Sequence, residues 1–337
     1  MSHTEIPEST VNETGSASPR RSRRKFPIPG ALALAISAIQ LLFMFCLSYP
    51  PLHAAPQHIP FGLVGPDAAI QQIETQLEAA GADAFDIHHY ANADEARQAI
   101  EHRDIYGAVV VAQDGPTMLV SSAANPAIAT MFRTEASHIA PSGPVPVEDV
   151  VPASGDDPNG SGFLATVLPL TLLSLALGVS VGLLEKRPLR TMGWIALASS
   201  NTAIFAGWIT NAMGIFTADY WGTVAVLVLL VFGVATTSAG LTQLGTGGRV
   251  LDLCFALLLL CVGIPGAGAL VPHLLLVEPW REIGPLLPPG AAVDALHGLN
   301  FFDGAATTGS LWVLAAWIVV GPAIMLPSIL WTQRQPR

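Results

Sequence analysis

Four histidines, His53, His58, His88 and His89, are the closest approach to a metal-binding set in this chain. The adjacent pair lies in FDIHHY, which reads as a strand, and neighbours on a strand point to opposite faces, so the two rings do not readily chelate one ion. They read as ordinary surface histidines, and no metal is expected. The chain has no GxxxxGKS or GxxxxGKT phosphate loop, no HExxH and no CxxC. It therefore carries no recognisable ATPase site of its own. Ser and His are plentiful, but without a nucleophile elbow no triad can be placed. Neither catalysis nor a cofactor bound by this chain is expected.

The remaining candidates are polar or small residues inside apolar runs. Asn201, Thr202, Thr210 and Asn211 make 192–216 the most polar of these runs. Amides are costly in hydrocarbon and normally face protein or water, so these residues mark either a substrate path or interhelical hydrogen bonds. Ser174, Gly178 and Gly182 form a small-xxx-small ladder, and Ala198, Thr202 and Ala206 repeat the spacing. Such ladders let helices approach closely, within one subunit or across a dimer. No run has an acidic residue near its centre. Asp252 lies near the end of its run beside Arg249, which argues against a proton-coupled carrier.

The elements that must position these residues follow from composition. The chain has 337 residues, 51% hydrophobic and 12% charged, with a mean hydropathy of +0.51. Soluble domains carry about 25% charged residues, so membrane insertion is the first reading. The net charge of −10 is unevenly spread, with an acidic insertion and basic flanks to the apolar runs. Cys46, Cys254 and Cys261 all fall in apolar stretches, so no disulfide framework is expected and the three read as small packing residues.

Residues 1–29 read as a disordered tail ending in Arg20, Arg21, Arg23, Arg24 and Lys25. Beside an apolar run this cluster reads as a topology determinant rather than a nucleic-acid arm. The run 30–49 is long enough to span and reads as an uncleaved signal anchor, in preference to a cleaved signal peptide ending near HAA at 53–55. Residues 50–162 read as a small α/β domain and stalk. The expected strands are 59–66, 85–90 and 105–112, with a further one at MLVSS. The expected helices are 68–80, capped by Asp67 and stopped by Gly81, then 94–101 and 126–139. The β-α-β-α-β order predicts parallel pairing, and a Pro- and Gly-rich stalk from 141 to 162 returns to the membrane.

Five further spans are expected at 163–184, 192–216, 222–244, 250–271 and 310–331, within a 163–332 membrane domain followed by a short tail, 333–337. Pro265 should break or kink the fifth span. The segment 272–309 alternates apolar clusters with Pro and reads as short interfacial or re-entrant helices. The fold class expected is thus a polytopic α-helical membrane protein with six transmembrane helices and an α/β extracytoplasmic domain inserted between the first two. Eleven of the 15 Lys and Arg fall in segments that place both termini in the cytoplasm.

Three stretches carry a family resemblance. IPFGLVGPDAAIQQIETQLEAAG with ADEARQAIEHRDIYGAVVV, DDPNGSGFLATVLPLTLLSLALG, and IGPLLPPGAAVDALHGLNFFDGAATTGSLWVLAAW together resemble the membrane subunit of a type-2 ABC transporter. The resemblance is to the permeases related to the phage infection protein. It implies a bacterial plasma-membrane permease that exports an amphiphilic or drug-like compound, pairs as a homodimer or heterodimer, binds no nucleic acid, and relies on ATP bound by a separate cytoplasmic ABC ATPase. Under it, Glu185, Lys186, Arg187 and Arg190, between the second and third spans, face that ATPase. One departure is the N-terminus, where many type-2 permeases carry an amphipathic interfacial helix. The alternative from another class is a non-transporting membrane protein whose external domain binds a ligand, an envelope component or a protein.

Overall fold

The computed structural model describes residues 28–81, 84–139, 145–269 and 271–333. The basic tail up to residue 27, residues 140–144 of the expected stalk, and residues 334–337 with Arg334 and Arg337 lie outside the described residues. The chain divides between Leu41 and Leu42 into two units. In the first, residues 28–41 are helical, with Leu32, Leu34, Ile36 and Leu41 exposed. They open α1, Ile28–Leu52. All contacts described below lie within residues 42–337.

A five-stranded sheet follows α1. Its strands are β1 (Ile59–Val64), β2 (Phe85–His89), β3 (Gly107–Ala112), β4 (Gly115–Val120) and β5 (Val147–Asp149), ordered β2-β1-β3-β4-β5. The β1 pairs with β2 and β3 are parallel, while β3 and β4 form an antiparallel hairpin. Period-two alternation sorts the side chains. Ile59, Phe61 and Leu63 face α2 (Asp67–Ala80) and α4 (Pro126–Ile139), while the other face packs on Ala96, Ala99 and Ile100 of α3 (Ala93–Glu101). Two local readings change, the cap of α2 and the stalk, and α3 shows a cap of its own. Pro66, extended at φ −65°, takes the cap position of α2, so Asp67 is its first helical residue and acts as a first-turn acid. The cap of α3 is Asn92, whose side chain accepts from Glu95 N at 2.9 Å while Glu95 accepts from Ala91 N at 3.1 Å, a reciprocal capping box. Within the expected stalk, β5 pairs parallel with β4.

The apolar helices are α5 (Ser161–Leu184), α6 (Pro188–Ala212), α7 (Tyr220–Gln243), α8 (Thr246–Leu258) and, after the short α9 (Trp280–Ile283) and α10 (Pro288–Phe301), α11 (Thr308–Gln333). Among the described residues, five stretches are long and apolar enough to cross a membrane: 30–52, 161–184, 220–243, 246–263 and 308–326. The six expected thus become five by length and composition. α6 is as long as the others, but its amides, hydroxyls and Arg190 make it less apolar. α8 does not run straight to Pro265. It passes into a π-helical turn at Leu259–Gly263, and a 3-10 turn follows at Pro265–Ala267. Beyond it, backbones meet closely: a Cβ on Gly266 would lie 2.7 Å from the Trp280 carbonyl oxygen and 2.8 Å from the Gly284 Cα.

α7 is the central helix and touches α5, α6, α8, α10 and α11. Its run GVATTSAG explains why, since small side chains let several neighbours approach. The Thr236 hydroxyl returns to the Phe232 carbonyl at 2.7 Å, and Ser238 donates to the Leu175 carbonyl of α5 at 3.3 Å. Asp252, beside Arg249 in sequence, accepts instead from Thr242 of α7 at 3.3 Å.

Candidate functional site

The polar centre of the molecule is on α10, where it meets the sheet-bearing segment. Arg103 follows α3 with φ 63°, a left-handed conformation unusual for a non-glycine residue, which aims its side chain back. Its Nη2 donates to Asp294 Oδ1 at 2.7 Å, its Nη1 donates to the Asp294 carbonyl at 3.4 Å, and its guanidinium lies 5.4 Å from the centroid of Phe302. The second Asp294 oxygen accepts from Ser310 of α11. One turn along α10, His297 stacks on Phe163 of α5 with ring centroids 3.7 Å apart and planes within 4°. Its Nδ1 bonds the Val293 carbonyl at 3.0 Å. A further turn on, Asn300 donates to Thr223 of α7 at 3.0 Å. A single face of α10 thus ties the α3–β3 loop to α11, α5 and α7. Further ties join the same two regions: Ser154 donates to the Gly214 carbonyl at 2.6 Å, and Arg281 to Gln57 at 2.6 Å.

A cavity of about 220 Å³ at this junction is lined by Arg103, Tyr106, His273, Gly290, Asp294 and Ala306. Desolvation raises the Asp294 carboxyl, but Arg103 and Ser310 outweigh it and hold it below the usual carboxylate range. His297 is pushed down to about 4, chiefly by burial and then by Arg103, so it is neutral at pH 7. Burial, opposed by Asp294 and helped by Arg103 and Arg281, also lowers His273. Burial raises the Tyr106 phenol. These groups offer a clamped ion pair among neutral rings, an arrangement suited to holding two parts of a chain in one register.

The sequence-predicted residues fall elsewhere. Glu185 caps the end of α5, and its carbonyl accepts from Gln243 of α7 at 3.1 Å; the same Gln243 amide reaches Thr191 at 2.9 Å. This pins the loop, while Lys186, Arg187 and Arg190 are exposed and make no ion pair among the described residues. Gly178 and Gly182 of the ladder face α7, where an added Cβ would strike the Ala235 carbonyl and the Ala239 backbone; Ser174 is buried on the same face. The four polar residues of α6 do not converge. Asn201 and Asn211 are exposed, Thr202 is half-buried, and buried Thr210 bonds the Ala206 carbonyl at 2.9 Å. Asn211 donates to the Phe216 carbonyl at 3.2 Å. Of the histidines, His89 lies 2.9 Å from Glu74, His88 lies 3.5 Å from Asp86, and His53 stacks on Tyr49. No group of three metal-ligating side chains occurs among the described residues.

A family model described as ABC-2 family transporter protein matches residues 32–271, from α1 to just past the Pro265 turn. The chain belongs to the ABC-2 transporter family. It is therefore a multi-pass membrane protein and a permease subunit of an ABC transporter, a class that works with an ABC ATPase. No curated protein and no solved structure matches it. The family match ends before 272–309, so the α10 half of the junction in this ABC-2 permease lies beyond it. Sequence reasoning missed this junction. The available signal was Asp294, the only charge in α10, with His297 three residues later on the same face.

Proposed function

We propose that this permease is the membrane subunit of an ATP-driven exporter of an amphiphilic or drug-like compound in the bacterial plasma membrane, similar to the permeases related to the phage infection protein. ATP is bound and hydrolysed by a separate ABC ATPase, and a second copy or a similar permease completes the transporter. α6 is the sixth span. One end of α6 lies beside Gln243, which holds Glu185 and Thr191, and its other end reaches Gly214, which accepts from Ser154 beyond the sheet. At 1.5 Å per residue its 25 residues span roughly 37 Å, enough to cross the hydrocarbon. With six crossings, the sheet and 272–309 lie outside, and the 185–190 loop, Arg249 and both termini lie in the cytoplasm, in keeping with the placement of basic residues.

The observation that carries this reading is the α10 hub. Movement that an ATPase imposes at the pinned 185–190 loop reaches α5 and α7, which hold α10 through Phe163–His297 and Thr223–Asn300. α10 passes it to the external segment through Arg103–Asp294. Glu185, Lys186, Arg187 and Arg190 are the ATPase-facing surface. Asn201, on the exposed face of α6, faces either the substrate or the paired subunit. The test is transport in vesicles of a fluorescent amphiphile by the permease reconstituted with the host's ABC ATPases. ATP-dependent movement that Arg103→Met abolishes, with ATPase binding intact, supports the reading; absence of movement with every ATPase overturns it.

A further inference from the structure

Beneath the sheet, away from the α10 junction, lies a second cavity of about 160 Å³. Phe61, Phe85 and Phe132 form a tilted cluster in its wall, with ring centroids 4.9 to 6.3 Å apart. Met118, Met131, Leu77, Pro56 and Ala84 make up the rest of the apolar lining, and among the described residues the only ionisable group in it is Glu135. Glu135 is exposed and has no ion-pair partner among the described residues. Cavities on the order of 150 Å³ with apolar walls accept a single aromatic ring, and methionine adapts its shape to such a guest. The surroundings favour one sign of charge. Residues 50–162 hold fifteen of the 25 acidic side chains of the chain, against Arg97, Arg103 and Arg133. Arg97 is committed to Glu148 and Asp94, Arg103 to Asp294, and Arg133 to Asp149. The local field therefore draws cations.

We propose that this pocket binds a hydrophobic cation, with an aromatic or short alkyl group among the three phenylalanines and the positive centre beside Glu135. Electron-rich ring faces and a carboxylate both favour a quaternary or protonated amine over a neutral or anionic compound of the same shape. The role of the site, selecting or sensing the exported compound, rests on the exporter reading; its ligand class does not.

The experiment uses the full-length permease in lipid nanodiscs without any ATPase. Binding of benzyltrimethylammonium, benzyl alcohol and benzoate is followed by saturation-transfer NMR. The cation is expected to bind best and benzoate least. Glu135→Gln should weaken the cation about fivefold while leaving benzyl alcohol unchanged, and Met131→Trp, which fills the cavity, should remove both. Equal binding of cation and benzoate, or unchanged binding in the Met131→Trp protein with its unfolding temperature preserved, overturns the proposal. Cation binding to the pocket with no ATP-dependent transport would retain the site and reject the exporter reading. Transport with no pocket binding would do the reverse.

Discussion

Asp294 is the only charge on α10, held by one guanidinium and one hydroxyl. Removing a partner from a well-buried pair costs about 3–5 kcal/mol, and since about a third of the Asp294 side chain is exposed, Arg103→Met should cost nearer 2 kcal/mol. Asp294→Asn, which keeps hydrogen-bonding capacity, should cost less, and thermal unfolding in detergent would rank the two. His297 supplies a pH signature. Its folded value near 4 is below the ordinary 6.5, so the unfolded state takes up more protons as acid is added. Stability is full above pH 6.5 and falls between there and 4, by up to about 3 kcal/mol. His273, also lowered, adds to this loss, and Asp294, held low, extends it below the ordinary carboxylate range. His297→Phe should flatten the limb from pH 6.5 to 5; an unchanged limb would assign it to other groups. None of this was legible from local pattern, because Arg103 and Asp294 are 191 positions apart. Sequence periodicity reports which face is buried, not which distant charge it meets.

At the scale of elements, the ladder on α5 sets how closely it approaches α7. Gly178→Ala places a methyl against the Ala235 carbonyl and should cost about 1–3 kcal/mol by overpacking. Gly193→Ala on α6 meets nothing within 4 Å and should be neutral or slightly stabilising. Paired melting curves separate the two. The spacing of small residues showed that some helix would come close; it did not say which, and the small-residue face of α7 supplies that answer. The strands β1 to β3 and the helices α2 to α4 were readable because each is a local alternation or amphipathic period bounded by Gly, Pro or an acid. β5 was not. Its three residues, 147–149, lie between Pro146 and Pro152, and only the neighbouring β4 makes a strand of them. The π-helical turn at 259–263 was equally hidden, since it precedes the proline that marked a break.

For the whole molecule, the proposed six crossings and the asymmetry of charge point the same way. The loop held by Gln243 presents three cations with no ion-pair partner among the described residues, and the opposite ends of the same helices meet the acidic sheet-bearing segment. Length and hydropathy alone yield five spans among the described residues, and the proposed sixth, α6, is held by hydrogen bonds at both of its ends. The most direct measurement takes the host ABC ATPase that co-purifies with the permease and compares ATPase stimulation by the wild type with that by a Lys186→Glu, Arg187→Glu, Arg190→Glu variant of unchanged unfolding temperature. The charge-reversed loop is expected to lose both co-purification and stimulation, while Gly193→Ala keeps them. Full stimulation by the reversed loop, or the absence of any ATPase partner, would contradict that expectation.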